Sequence, residues 1–306
     1  MVTLKELQVE ELVGPGHRMC AGCGGAVTAR MTIKALKRPT YVVNATGCME
    51  VATTIYPYTA WRVPWVHGLF ENASAIASGM ETYLKSKNDG NLQADIIIFG
   101  GDGGTFDIGL QSLSGAFERR HDFVYVCYDN EAYMNTGIQR SSATPEGAWT
   151  TTTPVGVASQ GKIGPKKDLA AFALAHHVDY VATACTSYWS DFITKVRKAA
   201  EIDGPALIHA IAPCPLGWRF PTDQTIQMGR LAVQSRYFPL YEVERGKYKM
   251  SISPHQVPVE DFLRLQGRFS HLFKPEGAQE LTALKTQVEQ RWASLQELCQ
   301  GRHPTW

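Results

Sequence analysis

The sequence lacks a charge imbalance, a long apolar run and a dense set of cysteines. Thirty Lys and Arg against 29 Asp and Glu leave a formal net charge of +1. No long-range field therefore draws a polyanion, and nothing points to nucleic acid as a partner. Polar or charged side chains interrupt each apolar stretch before it reaches the roughly 18 residues of a membrane span, so no membrane partner is expected. Residues Met1 to Glu11 alternate charged and apolar types without the basic-then-apolar order of a secretion signal, which predicts a cytoplasmic protein. Seven cysteines in 306 residues are too sparse, and odd in number, for a secreted disulfide scaffold. What is present, 44% apolar and 19% charged residues, describes a globular chain long enough to bury a substantial core.

Runs rich in β-branched residues at 40–44, 95–99, 123–127 and 206–211 read as strands. Helical patterns lie near 24–37, 70–86, 109–120, 167–177 and 188–202. Such alternation predicts an α/β fold with a mostly parallel, doubly wound sheet whose apolar strands are covered on both faces. Residues 131–166, with many glycines and the run from Thr150 to Pro154, read as a long ordered loop near a site. Beyond 213 the prolines and aromatics suggest an irregular extension. It ends in a helix striped by Leu281, Leu284, Val288, Trp292, Leu295 and Leu298. The expected organisation is an α/β domain over 1–212 and a C-terminal extension over 213–306.

Strand 95–99 runs into Gly100-Gly101-Asp102-Gly103-Gly104-Thr105. Glycines at a strand-to-helix junction predict a sharp bend whose free amides suit a phosphate or diphosphate. Asp102 is placed to hold a divalent metal bridging such a group. The next strand ends at Asp129-Asn130-Glu131-Ala132-Tyr133-Met134-Asn135-Thr136, and carboxyl ends of neighbouring strands form one crevice in a doubly wound sheet. Asp102 and Asn130 can thus meet at one Mg2+. Neither the GxxxxGK[ST] nor the GxGxxG nucleotide pattern is present at this turn.

Cys20 and Cys23 form C-x2-C, Cys48 follows the first strand, and Cys214 lies in Pro213-Cys214-Pro215 after a later one. The four could ligate an iron–sulfur cluster or one zinc, or the close pair alone could be redox-active. Cys127 reads as a small buried hydrophobe inside a strand. His67 and His17 could line a site or serve as hydrogen-bonded structural histidines, and Lys162, Lys166 and Lys167 read as a solvated face.

These residues sit in longer stretches: GHRMCAGCG, NATGCMEV, YPYTAWRVPWVH, FENASAIASG, GDGGTFDIGLQSLSGA, CYDNEAYMNTGIQRSSATP, PCPLGWRFP and FLRLQGRFSHLF. Over nearly the whole chain they resemble the β subunit of the multisubunit pyruvate:ferredoxin and related 2-oxoacid:ferredoxin oxidoreductases. The resemblance implies a thiamine-diphosphate-binding fold and three cofactors: thiamine diphosphate, Mg2+ and a [4Fe-4S] cluster. It places Cys20, Cys23, Cys48 and Cys214 on the cluster, and Asp102, Asn130 and the carbonyl of Ala132 on Mg2+. Gly101, Gly103 and Gly104 would shape the diphosphate cradle. Asn135 and Thr136 would flank the cofactor, with His67 a further catalytic candidate.

The implied activity is oxidative decarboxylation of a small 2-oxoacid. A pyrimidine-domain partner subunit would supply the activating glutamate, a ferredoxin-like subunit would pass electrons to ferredoxin, and coenzyme A would accept the acyl group from pyruvate. Arg62 stands where pyruvate-type relatives are expected to carry asparagine. Facing the pocket it would favour a second carboxylate, as in oxalate, which needs no coenzyme A; otherwise it is a surface arginine. A non-redox thiamine-dependent decarboxylase or carboligase with a structural metal is the reading from another class.

Overall fold

The computed structural model describes residues 2–302. The β-branched runs become β1 (Thr40–Ala45), β2 (Trp65–Gly68), β3 (Asp95–Gly101) and β4 (Val124–Asp129). A small separate hairpin, β5 (Val155–Gly156) and β6 (Ser159–Gln160), follows. After it come β7 (Tyr180–Cys185), β8 (Ala206–Ile211), β9 (Tyr241–Glu244) and β10 (Lys247–Met250). Eight strands make one sheet in the order β10-β9-β7-β8-β4-β3-β1-β2. Pairing is parallel from β2 across to β7, then antiparallel for β9 on β7 and β10 on β9.

The helices are α1 (Gly24–Ala35), α2 (Cys48–Thr53), α3 (Ala73–Lys87), α4 (Leu110–Glu118), α5 (Leu169–Ala175), α6 (Trp189–Ala200), α7 (Pro215–Trp218), α8 (Thr225–Gln234), α9 (Val259–Arg264) and α10 (Ala278–Cys299). On one face Ala29 and Ile33 of α1 and Phe192 and Val196 of α6 pack with Val42, Ile97, Val126 and Ile208. On the other, α3, α4 and α5 place Ala77, Leu113, Phe117 and Ala173 with Val43, Ile98 and Tyr125. Apolar cover on both sides explains why β4, β7 and β8 are buried along their whole length. Asp168 fixes the start of α5 by accepting the Ala171 amide at 3.0 Å.

The segment after 213 does more than cover the core. It adds β9 and β10 to the sheet, and Trp218, Phe238, Phe262 and Phe269 make a third apolar cluster with Cys185 and Ile211. The C-terminal stripe forms α10, which buries Leu284, Trp292 and Leu295. No described helix is long and apolar enough to cross a membrane.

The chain leaves β1 for β2 on one side and returns as β3 on the other. The carboxyl ends of β1 and β3 therefore border a switch point, where open α/β sheets take their ligands. Thr46 to Cys48, Asp102, Asn130 and Cys214 all follow strands that end at this edge.

Candidate active site

One cleft is lined at this edge by Thr46, Gly47 and Cys48 after β1, by Gly101 to Gly104 after β3, and by Tyr128, Asn130, Ala132, Asn135 and Thr136 from the end of β4. The glycines are not there for the sharp bend expected from the sequence. None of Gly100, Gly101, Gly103 and Gly104 has a positive φ, and β3 passes through Asp102 into a π-helical turn, Gly103–Ile108, before α4. Close approach is the reason. A Cβ on Gly103 would lie 2.3 Å from the Tyr133 ring, and one on Gly100 would lie 2.2 Å from the Tyr125 hydroxyl oxygen. Tyr133 is itself held by its hydroxyl, which donates to the Gly103 carbonyl at 3.2 Å. Gly103→Ala is therefore expected to destabilise the chain by about 1–3 kcal/mol, by displacing a ring that cannot swing away. Thermal melts of the two chains, compared side by side, check this; an unchanged midpoint would show that the ring moves freely.

Asp102 is 1% exposed. Burial first, and then the Asp129 carboxylate, pushes its carboxyl pKa well above the ordinary range, although the Ser141 hydroxyl donates to Oδ2. Beside it, the side-chain oxygen of Asn130 faces two other acceptors, Asp102 Oδ1 and the Ala132 carbonyl, each 2.9 Å away; hydrogen bonds arise there only with the amide reversed. Three oxygens turned on one another repel unless the amide turns over or a cation sits among them. A carboxylate, an amide oxygen and a backbone carbonyl are the donors a hard divalent ion takes.

The loop carrying Asn130 is clamped from below. Glu131 has a φ of 68° and is fully buried. Its carboxylate accepts from Arg268 Nη2 at 2.5 Å, Tyr237 Oη at 2.8 Å and Lys166 Nζ at 3.0 Å. Trp218 Nε1 donates to the Asn130 carbonyl at 2.8 Å, and Thr144 Oγ1 to the Glu131 carbonyl at 2.7 Å. Burial opposes the charge on Asp129, but Lys166 and then His209 outweigh it and hold that carboxyl low. Ser141, Glu131, Lys166, Trp218 and Arg268 were not singled out for the site by sequence reasoning, and lone polar residues at such separations carry no motif.

Three loops bring the cysteines together. The Gly24 amide donates to the Pro213 carbonyl at 3.0 Å, next to Cys214, and a Cβ on Gly24 would lie 2.7 Å from that backbone. The Arg18 amide reaches the Ala52 carbonyl, at 2.7 Å, on the helix that Cys48 begins. Cys214 caps α7 and accepts the Gly217 amide at 3.3 Å. Burial, and then Cys214, Cys23 and Cys20, pushes the Cys48 thiol up to about 12, and burial takes Cys214 up to about 11. Cys23, Cys48 and Cys214, whose ionisation burial and their neighbours oppose, need cationic compensation before they lose their protons, which a coordinated metal would supply. Among the described residues no group of three or more His, Cys, Asp or Glu is gathered closely enough to hold a metal ion.

Other expectations are corrected or relocated. Of the three lysines read as a solvated face, Lys167 is exposed as expected, whereas Lys162 and Lys166 turn inward. Lys162 is 4% exposed and donates to the Gly164 and Pro165 carbonyls, Lys166 pairs with Asp129 and Glu131, and Lys167 donates to the Phe106 carbonyl at 2.8 Å. His67 lies on the edge strand outside the cleft lining, with Nε2 2.7 Å from Thr46 Oγ1 and 3.7 Å from Glu50. Arg62 is exposed, near Gly14, and does not line the cleft either. Cys127 is fully buried, as expected of a core residue. Asn135 and Thr136 line the cleft, and Thr136 Oγ1 is 2.5 Å from Gln139 Oε1.

Residues 45–210, which include every residue lining the cleft but not Cys20, Cys23, Cys214 or Arg268, match the family model "Thiamine pyrophosphate enzyme, C-terminal TPP binding domain". The chain is 54% identical over 270 residues to pyruvate synthase subunit PorB of Methanothermobacter thermautotrophicus, covering 88% of this chain and 93% of the relative. The chain belongs to the β-subunit family of the 2-oxoacid:ferredoxin oxidoreductases. This β subunit is also 44% identical over 300 residues to ketoisovalerate oxidoreductase subunit VorB of Pyrococcus abyssi, with 96% and 95% of the two chains covered. Relatives named for two different acids thus match at almost full length, and identity shows the class of substrate ahead of the acid itself. A solved 2-oxoglutarate:ferredoxin oxidoreductase from Magnetococcus marinus shares the fold at a TM-score of 0.55 and 20% identity, over 74% of this β subunit and 84% of that chain. The β subunit is part of an enzyme that works with partner subunits.

Proposed function

We propose that this β subunit holds the diphosphate end of thiamine diphosphate and, next to it, a [4Fe-4S] cluster, in a complex that oxidatively decarboxylates pyruvate to acetyl-CoA and carbon dioxide. The observation that carries the proposal is that Cys48 and Asp102 line the same cleft. Asp102, the Asn130 amide oxygen and the Ala132 carbonyl would hold Mg2+. Gly101, Gly103 and Gly104 would let backbone amides approach the diphosphate, with Asn135 and Thr136 at its flank. Cys20, Cys23, Cys48 and Cys214 would ligate the cluster. When bound, thiamine diphosphate supplies the electron sink that lets a 2-oxoacid lose carbon dioxide, and the cluster accepts electrons singly.

The protein's part is to bind and orient. Buried Asp102 would offer the ion one negative charge and fix its position, and the clamp on Glu131 holds the Asn130 loop at the strand end. Among the described residues no glutamate lines the cleft, and a pyrimidine-domain partner subunit would supply the activating glutamate. A ferredoxin-like subunit would carry electrons onward to ferredoxin. Residues 1–212 would supply the cofactor cradle and three cluster cysteines, and 213–306 the fourth cysteine and the clamp. Pyruvate is placed ahead of oxalate because several of the most similar relatives are pyruvate synthase subunits.

Anaerobic reconstitution with the partner subunits tests the reading. It should yield about four irons per copy of this chain. Turnover should need coenzyme A and be fastest with pyruvate among pyruvate, oxalate and larger 2-oxoacids, and the isolated chain should be inactive. Cys214→Ala should abolish this chain's cluster signal despite its distance in sequence from Cys20. Stoichiometric zinc in place of iron, or a full signal in Cys214→Ala, would overturn the cluster assignment.

A further inference from the structure

Tyr128 stands at the end of β4, with its side chain 2% exposed; the Met49 backbone amide faces its hydroxyl oxygen, while the O–H itself donates to no group of the chain. A buried polar group left unpaired costs about 1–3 kcal/mol. The surroundings are shaped to admit this ring. A Cβ on Gly47 would lie 2.8 Å from the hydroxyl oxygen, and one on Gly101 would lie 3.4 Å from it. A Cβ on Gly25 would lie 3.5 Å from ring atom Cδ2 and 3.6 Å from Cys23 Sγ. The ring therefore rests on the turn that carries Cys23, and its hydroxyl ends beside the residue preceding Cys48. Gly101, in the cofactor cradle, faces the same oxygen. A phenol offers one O–H donor, and here that donor is the unused half of the group.

We propose that the Tyr128 hydroxyl donates a hydrogen bond to a sulfur of the cluster held by Cys20, Cys23, Cys48 and Cys214, and thereby sets how readily that cluster takes an electron from the cofactor side. The inference rests on the cluster reading above. Reduction adds negative charge to the cluster, and a hydrogen bond to sulfur favours the more negative form. Tyr128 acts through the cluster and touches no reacting carbon, which makes it a positioning and tuning residue.

The test is a potentiometric titration of the reconstituted complex followed by electron paramagnetic resonance, with the signal lost in Cys48→Ala taken as that of this chain. Tyr128→Phe keeps the ring and removes the donor. Its cluster should be about tenfold harder to reduce, equivalent to about 59 mV for one electron, with Mg2+ and thiamine diphosphate affinity unchanged. Gly47→Ala, which pushes the hydroxyl away, should shift the equilibrium in the same direction, and by much less when Tyr128→Phe is already present. An unchanged potential in Tyr128→Phe overturns the proposal. So does an unchanged potential with weakened cofactor binding, which would make the diphosphate the acceptor. Absence of a four-iron signal from the parent complex removes the cluster reading as well, and so separates the two failures.

Discussion

Asp102→Asn is expected to weaken Mg2+ and thiamine diphosphate binding by about 100-fold, while the unliganded chain folds as stably as the parent or more so. The two effects have opposite signs for one reason. Asp102 is buried beside a second buried carboxylate, Asp129, and burial and that neighbour both raise its pKa. Without a cation its charge opposes folding, so a neutral isostere that can still accept from Ser141 removes a cost. With a cation the same carboxylate is the one formal negative charge in the trio formed with Asn130 and Ala132. Melting curves with and without Mg2+ and thiamine diphosphate check both halves. The parent should be stabilised by the ligands and the variant should not. Equal ligand-induced stabilisation of the two chains would remove Asp102 from the metal site.

Arg268→Ala is expected to destabilise the chain by about 3 kcal/mol, lowering Tm by about 5 °C. Arg268 and Glu131 are 2% and 0% exposed at their side chains and pair at 2.5 Å. The guanidinium also lies over the Trp218 ring, 4.2 Å from its centroid, and Trp218 holds the Asn130 carbonyl. Removing the arginine leaves Glu131 with Lys166 and Tyr237, which limits the loss. The backbone at Glu131 has a positive φ that this network sustains, so the Asn130 loop should slacken and Mg2+ affinity fall by about tenfold. Glu131→Gln in the Arg268→Ala background should recover part of the stability, since it removes the buried charge left with too few partners. No recovery would show that the loss comes from stacking on Trp218.

Much of this protein is legible in its sequence because local chemistry repeats there. The isoleucines of β3, the run that becomes β8 and the stripe of α10 each carry a period or composition that a strand or helix imposes. β7 (Tyr180–Cys185) escaped because its alternating alanines and threonine lack the bulk of its neighbours; it is a strand because β8 and β9 flank it. β9 and β10 escaped for a similar reason, being short and set among prolines and aromatics. Lys162 and Lys166 misled because 162–167 is charged along the chain, yet the loop turns Lys166 inward onto carboxylates that are distant in sequence.

The candidate site divides in the same way. Asp102, Asn130 and the C-x2-C pair announce themselves by residue type and by their place after strands, and their resemblance to a known family named the chemistry. Sequence by itself therefore determined the α/β class and the family, and marked the positions proposed to bind a diphosphate or sulfur-ligated metal. Tertiary structure alone decided that Cys48 and Asp102 share one cleft, that the glycines serve close packing instead of a bend, and that Glu131, Arg268 and Trp218 brace the loop between them. Those facts depend on the sheet order and on contacts between residues far apart in the chain, and no local pattern records which distant side chain will arrive.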